Sequence, residues 1–279
     1  MDNLQQFGGN WTVEKLDILT NYLDSYLLAL SKRKFKKIYI DAFAGTGTIV
    51  SRDESQVFAG SAKRALQSSQ KFDHYYFIEA NKRKAQQLEA MIMSEFPQMK
   101  SRITVCCGDA NTELIQILGN IDWRYNRALL FLDPCATEVN WTTLQAIAKT
   151  EAIDVWYLFP FSALNRMLKK DGKIDESWEN CINRLLGDSG WKQEFYEEDT
   201  QLNLFDEVAL YKDASPERIQ EYIIKRLETI FPKVAKNPRI LLNEKHSPLF
   251  LFCFAISNPS PAAQRLALNI AEHILGKRG

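Results

Sequence analysis

Four acids stand at or just beyond the ends of short apolar runs: Asp41, Glu79, Asp109 and Asp133. The first is followed by Ala42-Phe43-Ala44-Gly45-Thr46-Gly47. Glycines directly after a strand let the backbone approach a ligand with no Cβ in the way. A row of carboxylates repels itself unless it meets hydroxyl, amine or cationic partners. An adenosine with a sulfonium tail brings all three. One carboxylate accepts the ribose hydroxyls, another the adenine amine, and a positive sulfur sits near a third. The alternative is that these acids are only caps and turn formers.

Two other nucleotide sites are weighed against this one. A dinucleotide fold carries GxGxxG and an acid about 20 residues on. Here Val50 stands in place of the third glycine, and Glu79 lies 32 residues past Gly47. A P-loop needs GKS or GKT after its glycines, and neither follows.

The elements that must position these acids follow a regular rhythm. Lys37 to Asp41, His74 to Glu79, Ile103 to Cys106, Ala128 to Asp133 and Ile153 to Phe159 read as strands, each apolar enough to be buried in a parallel sheet. Helices intervene: one from Gly60-Ser61 to about Ser69, one capped by Asn81, one holding Leu114 to Leu118, and one from Trp141 to Thr150. Ser51 to Ala59 reads as polar and irregular. Alternation of this kind gives right-handed βαβ units and an α/β fold, with a mostly parallel sheet and helices on both faces. Ligands in such sheets bind at the carboxyl ends of the strands, where strand order reverses. Leu16, Leu19, Tyr22, Leu23, Tyr26, Leu27 and Leu30 predict an amino-terminal helix, with Thr12 as its cap. This helix and the basic run Lys32 to Lys37 form an extension over residues 1–36. The basic run is expected as solvated surface at the far end of the first strand. Residues 162–211 break the rhythm and read as a helical and irregular insertion over the strand-end face, acidic from Glu194 to Asp206. Helix Pro216 to Phe231, strand Arg239 to Asn243, strand Ser247 to Ile256 and helix Pro261 to Leu275 complete a single domain, 1–279. The link Glu244-Lys245-His246 is short enough for a hairpin, so the last strand should be antiparallel.

The chain has 279 residues, 46% of them hydrophobic, enough for one substantial core. Lys plus Arg equals Asp plus Glu at 35 each, so nucleic acid is not announced by net charge, although a local basic groove is compatible with it. Five scattered cysteines and three distant histidines lack metal-ligand spacing, so no metal is expected. The scattered cysteines, the polar first residues and the lack of a long apolar run give the expectation of a cytoplasmic protein with no membrane partner.

The order Asp41-Ala-Phe-Ala-Gly45-Thr-Gly47, Phe77-Ile-Glu79, Gly108-Asp109, Leu132-Asp133-Pro134 resembles a class I S-adenosylmethionine-dependent methyltransferase. With Gly60-Ser61 and the late Ser247-Pro248-Leu249, it looks more narrowly like the three-Cys-motif partner (TcmP) family, over nearly the whole chain. The resemblance implies a Rossmann-like methyltransferase sheet of about seven strands, the last antiparallel. It also implies S-adenosylmethionine as cofactor. Gly45 and Gly47, with Phe43 and Ala44 between strand and glycines, would line it. Asp41 would lie near the methionine amino group, Glu79 at the ribose hydroxyls and Asp109 at the adenine amine. Asp133 and Pro134 would face the methyl acceptor.

The acceptor side departs from known patterns. Amino-methyltransferases carry Asp/Asn-Pro-Pro-aromatic here, the acid holding an exocyclic amine and the aromatic stacking on a flipped base. This chain has Asp133-Pro134-Cys135-Ala136, where relatives in the family tend to have Asp-Pro-Phe-Gly. Cys135 invites the role of a nucleophile, as in 5-methylcytosine enzymes, or that of a small half-buried residue. Phe159 and Phe161 are placed to flank a planar base or to fill the core. Arg166 is placed to hold a phosphate or carboxylate, or to pair with the acidic insertion. Two functions follow. One is a methyltransferase acting on a nucleic-acid base or a related substrate. The other is a methyltransferase-like subunit acting through association with a protein partner.

Overall fold

The computed structural model describes residues 9–50, 57–199 and 209–276. In chain order the elements are α1 (Asn10–Ala29), β1 (Lys36–Asp41), β2 (Thr48–Val50), β3 (Val57–Ala59), α2 (Ser61–Gln67), β4 (His74–Glu79), α3 (Lys82–Glu95), a 3-10 turn (Pro97–Arg102) and β5 (Ile103–Cys107). There follow α4 (Ala110–Asn120), β6 (Asn126–Leu132), α5 (Trp141–Ala148), β7 (Ile153–Phe159), α6 (Phe161–Met167), α7 (Glu176–Leu186), α8 (Trp191–Phe195), β8 (Tyr196–Asp199) and β9 (Ala209–Lys212). The chain continues with α9 (Pro216–Glu228), β10 (Lys233–Val234), β11 (Arg239–Leu242), β12 (Pro248–Ile256) and α10 (Pro261–Gly276).

The central sheet runs β5-β4-β1-β6-β7-β12-β10, with β11 also on β12. The first five strands of this order are mutually parallel. β12 is antiparallel to β7, as expected for the last strand. β10 and β11 both pair with the same flank of β12, so they act as one strand interrupted midway. The expected hairpin is present: the N–H of Asn243 donates to Ser247 O at 2.9 Å, and His246 takes a left-handed φ of 56°.

Side chains on the central strands alternate between two cores, as period-2 geometry requires. Ile38, Ile40, Leu130, Leu132, Val155 and Tyr157 face α4, α5, α6, α7 and α9. Tyr39, Leu129, Phe131, Trp156, Leu158, Phe252 and Phe254 face α1, α2, α3 and α10. Each face therefore has its own helical cover, which is why the strands read as continuous apolar runs. Strand order reverses between β1, which leads to β4 and β5, and β6, which lies on the other side of β1. The crevice beyond the carboxyl ends of β1 and β6 is the switch point.

Local departures have physical causes. α1 begins at Asn10 with Gly9 as its cap, because the Thr12 N–H already donates to Gly9 O at 2.9 Å. Thr12 is therefore inside the helix, and its buried hydroxyl has no hydrogen-bond partner among the described residues. The segment read as irregular after the glycine loop contributes β3, which pairs with β2 in a small antiparallel ladder, Thr48 opposite Ala59. Residues 51–56 of that segment, and 200–208 of the acidic stretch, lie outside the described residues, as do 1–8 of the extension. The described part of the 162–211 region packs Leu164, Ile182, Leu186, Trp191 and Phe195 into the core and adds to the helical layer there.

Candidate functional site

β1 ends at Asp41 and the chain turns at once through the glycine loop. Gly45 and Gly47 take φ of 61° and 78°, the left-handed region open to glycine. Three backbone bonds pin this turn to its neighbours: Ala42 N–H to Phe131 O at 3.1 Å, Ala44 N–H to Ile78 O at 2.9 Å, and Gly60 N–H to Gly47 O at 2.9 Å. A Cβ on Gly47 would fall against Met91 Cε of α3, and 3.0 Å from Leu88 Cδ1. The loop is thus wedged between the two strands and α3. Phe43 is half-buried against one core and Ala44 is buried in the other.

Asp41 is 0% exposed, beneath this loop. Its carboxylate accepts from Phe43 N–H at 3.3 Å and lies 3.5 Å from the Tyr39 hydroxyl. The Ser61 hydroxyl also bonds it, which gives the Gly60-Ser61 pair a structural reason. Burial raises its pKa to about 7, against the hydrogen bonds of Ser61 and Phe43. Asp41 thus holds the loop from inside.

Glu79 lies across the loop from Asp41 and is half-buried. Each of its oxygens accepts one backbone N–H: Oε2 from Gly45 at 3.0 Å and Oε1 from Asn81 at 2.8 Å. Each keeps a further lone pair. Asn81 in turn caps α3, accepting from Arg83 and Lys84 N–H. Asp109 is exposed and caps α4, its Oδ1 accepting from Thr112 N–H at 3.0 Å and the Thr112 hydroxyl at 3.1 Å. Desolvation pushes its carboxyl up, but the bonds from Thr112 and Asn111 outweigh this and hold it below the usual value. The capping role weighed for this acid is therefore present.

Asp133 follows β6. Its Oδ2 accepts a hydrogen bond from Nζ of Lys15, which reaches it from the first turns of α1. Lys15 is 4% exposed and the Asp133 side chain 13%, so this is a nearly dry ion pair. Among the described residues no donor is bonded to Asp133 Oδ1. The Trp11 ring lies 4.8 Å from Lys15 Nζ and packs on Phe250 of β12, ring centroids 5.3 Å apart. Pro134 is buried and Cys135 exposed. Desolvation, then the carboxylates of Glu138 and Asp133, push the Cys135 thiol up, and Lys84 and Lys15 only partly oppose them. A nucleophilic cysteine needs the opposite shift. The helix that could supply it, α5, begins only at Trp141, and Ala136 N–H is engaged with Glu138 Oε2 at 2.6 Å.

Asp41, Phe43, Ala44, Gly45 and Gly47 form one continuous turn at the end of β1, Glu79 bonds to it through Gly45 N–H, and Asp133 follows the neighbouring strand β6; Asp41, Ala44, Gly45 and Gly47 are buried. Phe159 and Phe161 are corrected: each is 2% exposed and packed in the core, because inward-facing positions on β7 continue into α6. They present no free ring face to a base. Arg166 is exposed on α6 and forms no ion pair among the described residues. Lys15 and Trp11 were not anticipated. The available signal was a lysine on the apolar stripe of α1, at a core position between Thr12 and Leu19; a buried charge of that kind requires a partner. Among the described residues there is no cluster able to hold a metal ion and no helix long and apolar enough to cross a membrane.

No family model matches the chain, and no curated protein matches it either. Among solved structures it is similar to protein LPL1258 from Legionella pneumophila str. Philadelphia 1, of family DUF519, at 14% identity over 93% of this chain and 92% of that one, TM-score 0.48. It is also similar to the plantazolicin methyltransferase BamL, solved with SAH, at 12% identity over 88% and 85%, TM-score 0.37. The methyltransferase domain of bacterial CtHen1-C is similar at 14% over 86% and 98%, TM-score 0.37. What the strands and helices themselves establish is a mixed α/β fold with a mostly parallel sheet covered by helices on both faces.

Proposed function

We propose that this chain is an S-adenosylmethionine-dependent methyltransferase whose acceptor is a nucleic-acid base or a related substrate. The observation that carries the reading is the gathering of Glu79, Asp133 and the Gly45–Gly47 turn at the β1/β6 switch point, with Asp109 on the adjoining strand end. The donor set fits the cofactor. Glu79 has one lone pair on each oxygen for a ribose diol, and exposed Asp109 retains its charge beside the cap for an adenine amine. When bound, S-adenosylmethionine supplies an electrophilic methyl on a cationic sulfur. The glycine turn, held by Asp41 from below, keeps its backbone close to the ligand. Asp133 Oδ1 accepts a hydrogen bond from the acceptor N–H or O–H and holds it in line, so that most of the rate comes from positioning. Trp11, packed on Phe250, stands beside Lys15, the partner of Asp133, and supplies aromatic surface that Phe159 and Phe161 do not. The resemblance to the three-Cys-motif partner family supports the same cofactor and keeps association with a protein partner as the competing role.

Titration calorimetry with S-adenosylmethionine and its demethylated product tests the cofactor, and labelled-methyl transfer to DNA, RNA and cell extract tests the activity. Absence of binding at high micromolar concentration overturns the reading. Binding without any transfer favours the association role. Asp133→Asn, which leaves Lys15 an oxygen to bond, should abolish transfer and spare cofactor binding; if transfer survives, the role given to Asp133 is wrong.

A further inference from the structure

The Lys15–Asp133 pair joins residues 118 apart in sequence, and neither side chain has water on most of its surface. A buried ion pair of this kind is weak evidence for stability, because desolvation offsets much of the attraction. Its position is more informative. The carboxylate of the pair stands at the acceptor end of the switch-point crevice, with one oxygen taken and one unbonded among the described residues. Rotation of Asp133 about its side-chain torsions is blocked by the bond to Oδ2, so Oδ1 keeps one direction.

We propose that Lys15 is the positioning residue of the acceptor site: it fixes Asp133 so that Oδ1 faces the acceptor, and it cancels the Asp133 charge so that the site takes an uncharged N–H or O–H donor and not a cationic amine. This rests on the transferase reading above. The other charges agree with it. Around Asp133 stand Lys15 from α1, Asp41 and Tyr39 from β1, and Cys135 in its own turn, whose thiol also faces Glu138 and Lys84. Asp41 is fully buried and bonded inside the loop, and the Glu79 oxygens are drawn toward backbone N–H groups. Among the described residues the other carboxylate of this turn, exposed Glu138, is drawn toward Ala136 N–H at 2.6 Å. A neutral exocyclic amine, amide or hydroxyl donates to Oδ1 at no comparable desolvation cost.

The test uses the full chain carrying Lys15→Gln, which can still donate to Asp133 but lacks the charge, and Lys15→Arg, which keeps it. One readout needs neither cofactor nor acceptor: iodoacetamide alkylation of Cys135 against pH, followed on its peptide by mass spectrometry. Lys84 and Lys15 are the two groups that pull that thiol down against the net upward push of burial, Glu138 and Asp133. Lys15→Gln should therefore move the alkylation profile to higher pH, and Lys15→Arg should leave it in place. In the second readout, labelled-methyl transfer to total RNA and sheared DNA should fall about 100-fold in kcat for Lys15→Gln and recover in Lys15→Arg, with S-adenosylmethionine affinity unchanged. Spermidine should inhibit Lys15→Gln and not the wild type. Should Lys15→Gln fail to fold, acetylation of Lys15 in wild type and in Asp133→Ala, which removes both carboxylate oxygens, decides the pairing: the amine should be protected in the first and labelled in the second. An unmoved Cys135 profile, equal Lys15 labelling, or transfer in Lys15→Gln equal to wild type overturns the proposal. A wild type that binds no S-adenosylmethionine sinks the transferase reading, while alkylation still decides whether the Lys15 charge is seated at Asp133.

Discussion

Replacing Asp41 by Asn separates charge from hydrogen bonding beneath the glycine loop. Asp41 is 0% exposed, and burial raises its carboxyl from 3.8 to about 7. In the unfolded chain the same group titrates near 3.9. Between these values the folded protein binds the proton more tightly than the unfolded one. The contribution of Asp41 to stability is therefore fully present below about pH 4 and is lost as pH rises through about 7. Three pH units correspond to about 4 kcal/mol at 1.36 kcal/mol per unit. Asn cannot ionise, and its carbonyl still accepts from Phe43 N–H. Relative to wild type, Asp41→Asn should then gain about 3 to 5 kcal/mol of stability between pH 4.5 and pH 8. Asp154, bonded to Tyr22 near the opposite end of the sheet, is also raised by burial to about 7. It lowers the stability of both proteins over the same window, so only their difference isolates Asp41. Urea unfolding followed by tryptophan fluorescence at stepped pH gives that difference. If it stays flat within about 0.5 kcal/mol across the window, burial does not raise the Asp41 carboxyl.

Gly47→Ala must adopt a φ of 78° with its Cβ against Met91, and should lose about 1 to 3 kcal/mol in urea unfolding. Adding Met91→Ala should return only the crowding part, and full recovery would show that backbone strain is absent. Asp109→Ala should cost about 1 kcal/mol through the lost cap of α4 and weaken S-adenosylmethionine binding, whereas Asp109→Asn keeps the cap and weakens binding alone. Equal affinity for both variants and wild type in calorimetry would remove Asp109 from the cofactor site. Cys135→Ser should retain methyl transfer within about threefold, because the thiol is pushed away from the thiolate. A loss of about 100-fold would restore the nucleophile.

Much of the fold was legible because its signals are local. The apolar runs of β1, β4, β6 and β7 and the caps Asn81 and Asp109 depend on neighbours a few residues away. So does the Asn243–Ser247 hairpin, which made β12 antiparallel. Short elements escaped for the complementary reason. β2, β3 and β10 span two or three residues each and are held by partners that no local period announces.

The acids at the strand ends were likewise visible as residues, and their gathering follows from parallel strands in register, which bring carboxyl ends to one edge. What each acid does there was decided only by packing. Asp41 is buried and strained while Glu79 is met by backbone N–H groups. A lysine from α1 neutralises Asp133, and Asp109 is committed to a helix cap. The ring faces of Phe159 and Phe161 are consumed by the core, and Trp11 stands beside Lys15, the partner of Asp133. Sequence alone determined which groups are present and which strand each follows, because pattern and propensity act over a few residues. Tertiary structure decided which charges meet and which are dry, because Coulomb energy and desolvation depend on distances set by the whole fold.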